Sequence, residues 1–384
     1  MRILTLCYEY PPIGGGGGVV AAGVARGMVQ AGHHVDLVTS RFGSQPLQEL
    51  RDGVQIHRHG CRRRVGHYTT AAELTTTLWP AYRLASALIG RVRPDVIHAH
   101  CALPGGIVAL ALARRYRIPF VLTVHGSDVP GYNPDRFQWQ HRFAMPLWRR
   151  IMAGAGVVTS PSQYLAGLVR SSIGLPVRVI PNGFTPTGCG STAKRKLVLV
   201  VARLFPRKGV QHFLEAIRDL DTDWEFVVAG DGPSMPELRA RAARIRPSVR
   251  FVGFVGRDVL AGLYAQASIL VFPSVKENCP MVLLEAMEAG CAVLTTQADG
   301  CAEVVADAGV TVPVAEPEAL RHALVALMAD EGRRESLGQS GRERASLFGW
   351  PRVTGLYLHA LSDALSPAAS PERAGSLEQG RSRR

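Results

Sequence analysis

Along the whole chain, short runs of β-branched and aliphatic residues alternate with longer stretches of helical period. In the first half the runs 3–6, 35–39, 54–58, 95–99, 120–124, 157–159 and 177–180 predict strands. Helical patterns such as 19–31, closed by Gly32, fill the intervals. After 184–196, a stretch with Thr, Gly and Ser that reads as an interdomain linker, the scheme restarts. Its strands are predicted at 197–201, 225–229, 250–252, 269–272, 292–295 and 310–312. Such alternation builds parallel sheets covered by helices, so two doubly wound α/β domains are expected, 1–183 and 184–349. A last helical pattern follows Trp350-Pro351 and ends near Leu365. The remaining 366–384, rich in Ser, Pro, Gly and Arg, is expected to be a disordered tail.

Composition narrows the class. A length of 384 residues suits two domains of roughly 150 residues each. With 47% hydrophobic and 20% charged residues the chain is neither fibrous nor disordered. Apolar runs such as 101–113 fall short of the roughly 18 residues of a spanning helix, so no transmembrane segment is expected. The N-terminus enters a strand directly, without a secretory apolar core and cleavage site, and a cytoplasmic protein is expected. The seven cysteines are scattered, with no Cys-x-x-Cys pair, so neither a disulfide framework nor a zinc site is indicated.

Charge divides the chain. Residues 1–180 hold 20 Arg, no Lys and 8 acidic residues, a formal +12, while the rest is nearly neutral. The first half is therefore expected to meet something anionic, either the acceptor of a reaction or a membrane surface. Arg62, Arg63 and Arg64, with Trp79, Tyr82 and Arg83 beyond them, suit an anionic lipid surface. No nucleic-acid partner is expected, because no aromatic-basic platform or recognition helix is present.

In open α/β sheets ligands bind outside the carboxyl ends of the strands, which makes residues just after a strand the candidates. Glu277 to Glu285 follow the strand ending at Phe272; Pro280 suits the first helical position, with Met281 and Val282 in the first turn. Free N–H groups at that helix mouth favour a phosphate, and Glu277 and Glu285 would accept hydrogen bonds from sugar and ribose hydroxyls. Arg203 and Lys208 follow the strand ending at Val201 and place fixed positive charge where a diphosphate leaving group gains negative charge, in place of a divalent metal. Gly14 to Gly18 follow the first strand and let backbone approach a ligand closely. Tyr8 to Ile13 separate them from that strand, which argues against a dinucleotide fingerprint. His125 and Asp128 follow the strand ending at Val124, and His98 and His100 share one face of the strand before it. Two histidines alone do not make a metal site. The acidic run Asp219-Leu220-Asp221-Thr222-Asp223 precedes its strand and reads as a solvated turn.

These residues resemble retaining glycosyltransferase family 4, over residues 1 to 365, most specifically in the Glu277–Glu285 spacing followed by Ala286-Met287-Glu288-Ala289-Gly290. The resemblance implies the GT-B fold, two Rossmann-like domains facing an interdomain cleft, the terminal helix 350–365 crossing back to the first. It implies a nucleoside-diphosphate-sugar donor, UDP-sugar before GDP-sugar, and a lipid, saccharide or natural-product hydroxyl as acceptor, with no cofactor and no metal. Arg203 and Lys208 would hold the diphosphate, Glu277 the sugar and Glu285 the ribose, with Pro280, Met281 and Val282 beside them. Gly15 and Gly16 would approach donor or acceptor, His125 the transferred sugar, and Gly253, Phe254 and Val255 the base. Gly17, His100 and Asp128 are expected at the acceptor. After Asn182-Gly183 the chain departs from the family pattern, with Phe184-Thr185 where an apolar residue and Asp are common. An epimerase on the same fold, or a non-catalytic nucleotide- or membrane-binding module, are the alternative readings.

Overall fold

The computed structural model describes residues 1–66, 69–132, 138–186, 188 and 193–366, with the side chains of 138–142 excepted. The tail expected at 366–384 lies outside the described residues beyond its first position. The chain folds into two compact units, Met1–Gly183 together with the segment from Trp350 onward, and Phe184–Gly349.

The first unit is built on β1 (Arg2–Leu6), β2 (His34–Ser40), β3 (Gln48–Arg51), β4 (Val54–His59), β5 (Val96–His100), β6 (Phe120–Thr123), β7 (Val157–Ser160) and β8 (Val177–Val179). They form one sheet in the order β3-β4-β2-β1-β5-β6-β7-β8, parallel except for β3 against β4. The polar strand β3 has no β-branched residue, and pairing with β4 makes it a strand. Alternate residues of the central strands enter two cores. One lies under the helices Ala71–Arg91, Ile107–Tyr116, Gln138–Gly154 and Gln163–Ile173, the other under Gly16–Gln30 and Trp350–Leu365. The helix Trp350–Leu365 meets Gly16–Gln30 through glycine: a Cβ on Gly23 would stand 2.1 Å from the Trp350 ring, and one on Gly27 at 2.1 Å from Thr354 Oγ1.

The second unit holds β9 (Arg195–Val201), β10 (Glu225–Ala229), β11 (Val249–Gly253), β12 (Ala267–Phe272), β13 (Ala292–Thr296) and β14 (Val310–Val312). All are parallel, in the order β11-β10-β9-β12-β13-β14. This is the doubly wound order in which the chain leaves two adjacent central strands, here β9 and β12, in opposite directions. The stretch read as a linker begins differently: Phe184 is buried, donates its N–H to Phe348 O at 3.2 Å and belongs to the core of this unit. Positions 187 and 189–192 of that stretch lie outside the described residues. Asp219, Asp221 and Asp223 stand before β10 and pair separately with Arg218, Arg246 and Lys196. Among the described residues no helix is long and apolar enough to cross a membrane.

The glycine contact with the terminal helix gives a direct test. Gly23→Val should lower the stability of the first unit by about 1–3 kcal/mol through overpacking against Trp350. Gly90→Ala, with nothing within 4 Å of the added carbon, should leave it unchanged or raise it by about 0.5–1 kcal/mol. Urea unfolding of the full chain, followed by circular dichroism, distinguishes the two.

Candidate active site

At the carboxyl ends of β9 and β12 two loops are tied together. The loop after β9 carries exposed Arg203, whose guanidinium lies 5.8 Å from the Phe205 ring, and ends in a tight turn, Pro206–Lys208. Gly209 follows with φ +71, and a Cβ there would fall 1.8 Å from Pro273 O, so only glycine lets this loop reach the exit of β12. Val275 N–H donates to Arg207 O at 2.9 Å, and Ser274 Oγ donates to the same carbonyl at 3.1 Å. Lys208 Nζ is thereby set against Glu277 Oε1 in an ion pair whose side chains are only 11% and 12% exposed. Ser274 Oγ lies 2.8 Å from Glu277 Oε1, and the ammonium sits 5.6 Å from the Phe272 ring centre.

The chain then enters the helix Met281–Glu288, with Pro280 as the residue before it rather than its first, and no side chain capping its N-terminus. Met281 and Val282 are half-buried in its first turn. One turn further, Glu285 Oε2 accepts from Tyr264 OH at 3.0 Å. Burial pushes the Glu285 carboxyl up; the Tyr264 hydrogen bond and Arg257 pull it back, and Glu288 adds to the rise. The loop after β13 closes the far side. Gly300 N–H donates to Glu277 O at 3.4 Å, and a Cβ on Gly300 would stand 1.8 Å from Asn278 O. Cys301 is buried here and its thiol is pushed up to about 12, first by burial and then by the Glu277 charge, so it is an unreactive neighbour.

In the first unit the corresponding point lies between β1 and β5. Glu9 is buried and accepts from Gly15 N–H at 3.1 Å, and the helix begins inside the glycine run, at Gly16. A Cβ on Gly17 would lie 3.4 Å from Glu9 Oε1 and 3.5 Å from His125 Cγ, which seats the glycine run against the His125 ring; around Gly15 and Gly16 there is open space. His100 Nδ1 and His125 Nε2 are 2.9 Å apart, with the rings stacked at 5.2 Å. His98 Nε2 lies 2.8 Å from Thr123 Oγ1, which lies 2.8 Å from Thr159 Oγ1. Burial lowers all three imidazoles: His98 to about 3, His100 well below the usual value, and His125 too, against the Asp128 charge.

The model of the group 1 glycosyl transferases matches residues 189–344, and that of Glycosyltransferase Family 4 matches 14–187. The chain belongs to glycosyltransferase family 4. An uncharacterised glycosyltransferase of Methanocaldococcus jannaschii is 28% identical over 92% of this chain and 96% of its own length. The glycogen synthase of Mycobacterium tuberculosis is 27% identical over 92% of each. Among solved structures, sucrose-phosphate synthase from Thermosynechococcus elongatus superposes with a TM-score of 0.80 at 22% identity, over 94% of this chain and 99% of that one. HepE of Anabaena, solved in complex with UDP, superposes with a TM-score of 0.76 at 18% identity, over 94% and 100%. These neighbours share the GT-B fold, and family membership makes this chain a glycosyltransferase rather than an epimerase or a non-catalytic module.

Within this glycosyltransferase the candidates are distributed unevenly. Lys208 and Glu277 are in direct contact, Glu285 lies on the helix that follows, and Arg203 stands five residues before Lys208 on the same loop. Gly253 ends the edge strand β11 with φ +71, Phe254 beyond it is 84% exposed, and Val255 packs on the core. His100 is fully buried, and Asp128 is spent on backbone, accepting from Ala102, His125 and Gly126 N–H at 2.7 to 2.9 Å. Both are therefore positioned to fix the loop carrying His125, with no exposed edge for an acceptor. Sequence reasoning passed over Glu9, Ser274 and Tyr264, and also Gly230-Asp231-Gly232 after β10. There Asp231 O accepts from Leu204 N–H at 2.9 Å, and a Cβ on Gly230 would stand 1.9 Å from Ala202 O. The paired glycines directly after a strand were the available signal.

The buried histidines set a pH dependence. An imidazole whose pKa is depressed by folding stabilises the fold above its usual 6.5 and loses that contribution as pH falls toward the folded value, about 3 for His98. Below pH 6.5 the first unit should lose about 1.4 kcal/mol per pH unit on account of His98, with His100 and His125 acting in the same direction. Urea midpoints at pH 7.5, 6 and 5 read this directly, and His98→Asn should flatten the profile.

Proposed function

We propose that this glycosyltransferase moves a sugar from a nucleoside diphosphate, UDP before GDP or ADP, to a hydroxyl of a lipid, saccharide or natural-product acceptor in the cytoplasm, with retention and without a metal. The observation that carries the reading is the largely buried Lys208–Glu277 pair at the carboxyl ends of β9 and β12. A cation and an anion there suit a donor that presents a diphosphate and sugar hydroxyls together. Lys208 and Arg203 take the diphosphate, Glu277 the sugar hydroxyls, and Glu285 the ribose. The first-turn amides of Met281 and Val282 face the phosphates, with Pro280 shaping the approach. Gly253, Phe254 and Val255 receive the base, the exposed Phe254 ring offering a stacking surface. On the N-terminal sheet, His125 with Gly15, Gly16 and Gly17 receives the sugar-bearing substrates. HepE, a neighbour in fold, has been solved with UDP and with UDP-glucose, and this favours a uridine donor here.

In the reaction the bond from the anomeric carbon to the phosphate oxygen breaks while the acceptor oxygen bonds on the same face. The departing phosphate oxygen takes the acceptor proton, and the nucleoside diphosphate leaves. Arg203 and Lys208 stabilise the charge that grows on the diphosphate.

Lys208→Ala and Glu277→Ala should each reduce kcat about a hundredfold in protein that circular dichroism shows to be folded, as for loss of one preorganised charge, with a lowered melting temperature from the partner charge left buried. Turnover should survive EDTA, and UDP should raise the melting temperature more than GDP or ADP. Near-normal turnover in both variants would refute the site. An inverted anomer in the product's NMR spectrum would refute retention.

A further inference from the structure

The helices Ala71–Arg91, Ile107–Tyr116 and Gln138–Gly154 pack in succession on one face of the N-terminal sheet, away from Gly16–Gln30 and Trp350–Leu365. Thr77, Ala85 and Ile89 of the first, Val108 and Leu112 of the second and Trp148 of the third are buried toward the sheet. The outward side is unusual in two respects. Trp79 is 65% exposed and Phe143 80%, with Leu147 one turn beyond Phe143. Trp79 stacks on Tyr82 with ring centres 5.8 Å apart, and Arg115, on the neighbouring helix, interacts with Tyr116 and across the helix pair with Tyr82. The aromatic groups of two helices thus form one patch.

Around it the charge has one sign. Arg83 is exposed one turn from Trp79, Arg114 and Arg115 are exposed on the second helix, and Arg149 and Arg150 on the third. Glu73 is the only acidic residue in the three helical sequences, and its carboxylate is taken by Thr70 and the Arg64 N–H. Exposed Trp and Phe side chains beside arginines, without acids to repel phosphate, have the composition of an interfacial membrane surface. Leu147 and Phe143 favour lipid over nucleic acid, since an aliphatic and aromatic pair gains nothing from a phosphodiester backbone.

We propose that this three-helix face docks on a bilayer surface containing anionic lipid, Trp79 and Phe143 entering the headgroup layer while the arginines meet lipid phosphates. The proposal is independent of the donor assignment, because none of these residues belongs to the candidate active site.

The test is co-sedimentation of the full chain with vesicles of phosphatidylcholine alone or mixed with phosphatidylglycerol. Recovery should be about tenfold higher with the mixed vesicles and should fall as salt screens the arginines. Trp79→Ser combined with Phe143→Ser should reduce it about tenfold. Arg83→Gln with Arg149→Gln forms a second arm that leaves the aromatic residues in place and should lower recovery on the mixed vesicles. Arg250→Gln with Arg333→Gln, exposed arginines of the other unit, should change nothing. Matching melting temperatures establish that the variants fold. Equal recovery on both vesicle types, or anionic binding that neither patch variant weakens, overturns the proposal. Tighter retention on duplex DNA than on the mixed vesicles, lost in the same variants, assigns the face to nucleic acid instead.

Discussion

Moving an ammonium and a carboxylate out of water costs several kcal/mol for each ion, and their mutual attraction does little more than offset that cost. The Lys208–Glu277 pair, with both side chains nearly nine-tenths buried, is therefore a poor device for stability alone. Its consequence is geometric. It joins the loops leaving β9 and β12, the two central strands at which the sheet order reverses, and the segment from Pro273 to Pro280 is arranged around it. The pair forms because Gly209 lets backbone lie against Pro273 O where any side chain would collide. Ser274 then bridges both loops, touching Glu277 and the Arg207 carbonyl, and Thr296 Oγ1 donates to Ser274 O at 2.5 Å from β13. A ligand with matching charges can share these groups with water already excluded, which is how such an arrangement gains strength in binding.

The central strands were legible because their residues face apolar surface on both sides. Runs such as Leu197–Val201 inside β9 and Ile269–Phe272 inside β12 admit little else. The loops after them were legible as positions, because ligands of doubly wound sheets gather at carboxyl ends. What they do there was not. Nothing in the spacing of Lys208 and Glu277, 69 residues apart, says that they touch. The polar edge strand β3 was hidden because pairing rather than propensity forms it. The glycine run was expected as a loop, yet its last three residues form the first turn of a helix, held at its start by Glu9. Glycine is a weak helix former, so only tertiary contacts, here with Glu9 and His125, could reveal that start.

Burial also reorders what the charge count meant. Of the arginines that make the first half so basic, Arg58 is almost wholly buried against Glu49, and Arg178 pairs with Asp363 of the terminal helix. With their charge neutralised by a paired carboxylate, these contribute little to any outward field. The histidines behave alike: their residue type invites a catalytic reading, but with His100 stacked on His125, His98 packed behind it and both stripped of solvent, His98 and His100 stay neutral across the physiological range. His125 alone remains half-exposed, backed by a neutral ring and with its loop fixed by Asp128. A neutral imidazole held this way can donate or accept a hydrogen bond without bringing a charge, which suits recognition of a hydroxyl better than proton abstraction at a fixed pKa. The contrast with the second unit is chemical. There an ammonium and a carboxylate face one another, whereas at the N-terminal sheet neutral imidazoles are chained together and the carboxylates of Glu9 and Asp128 are turned onto backbone N–H groups.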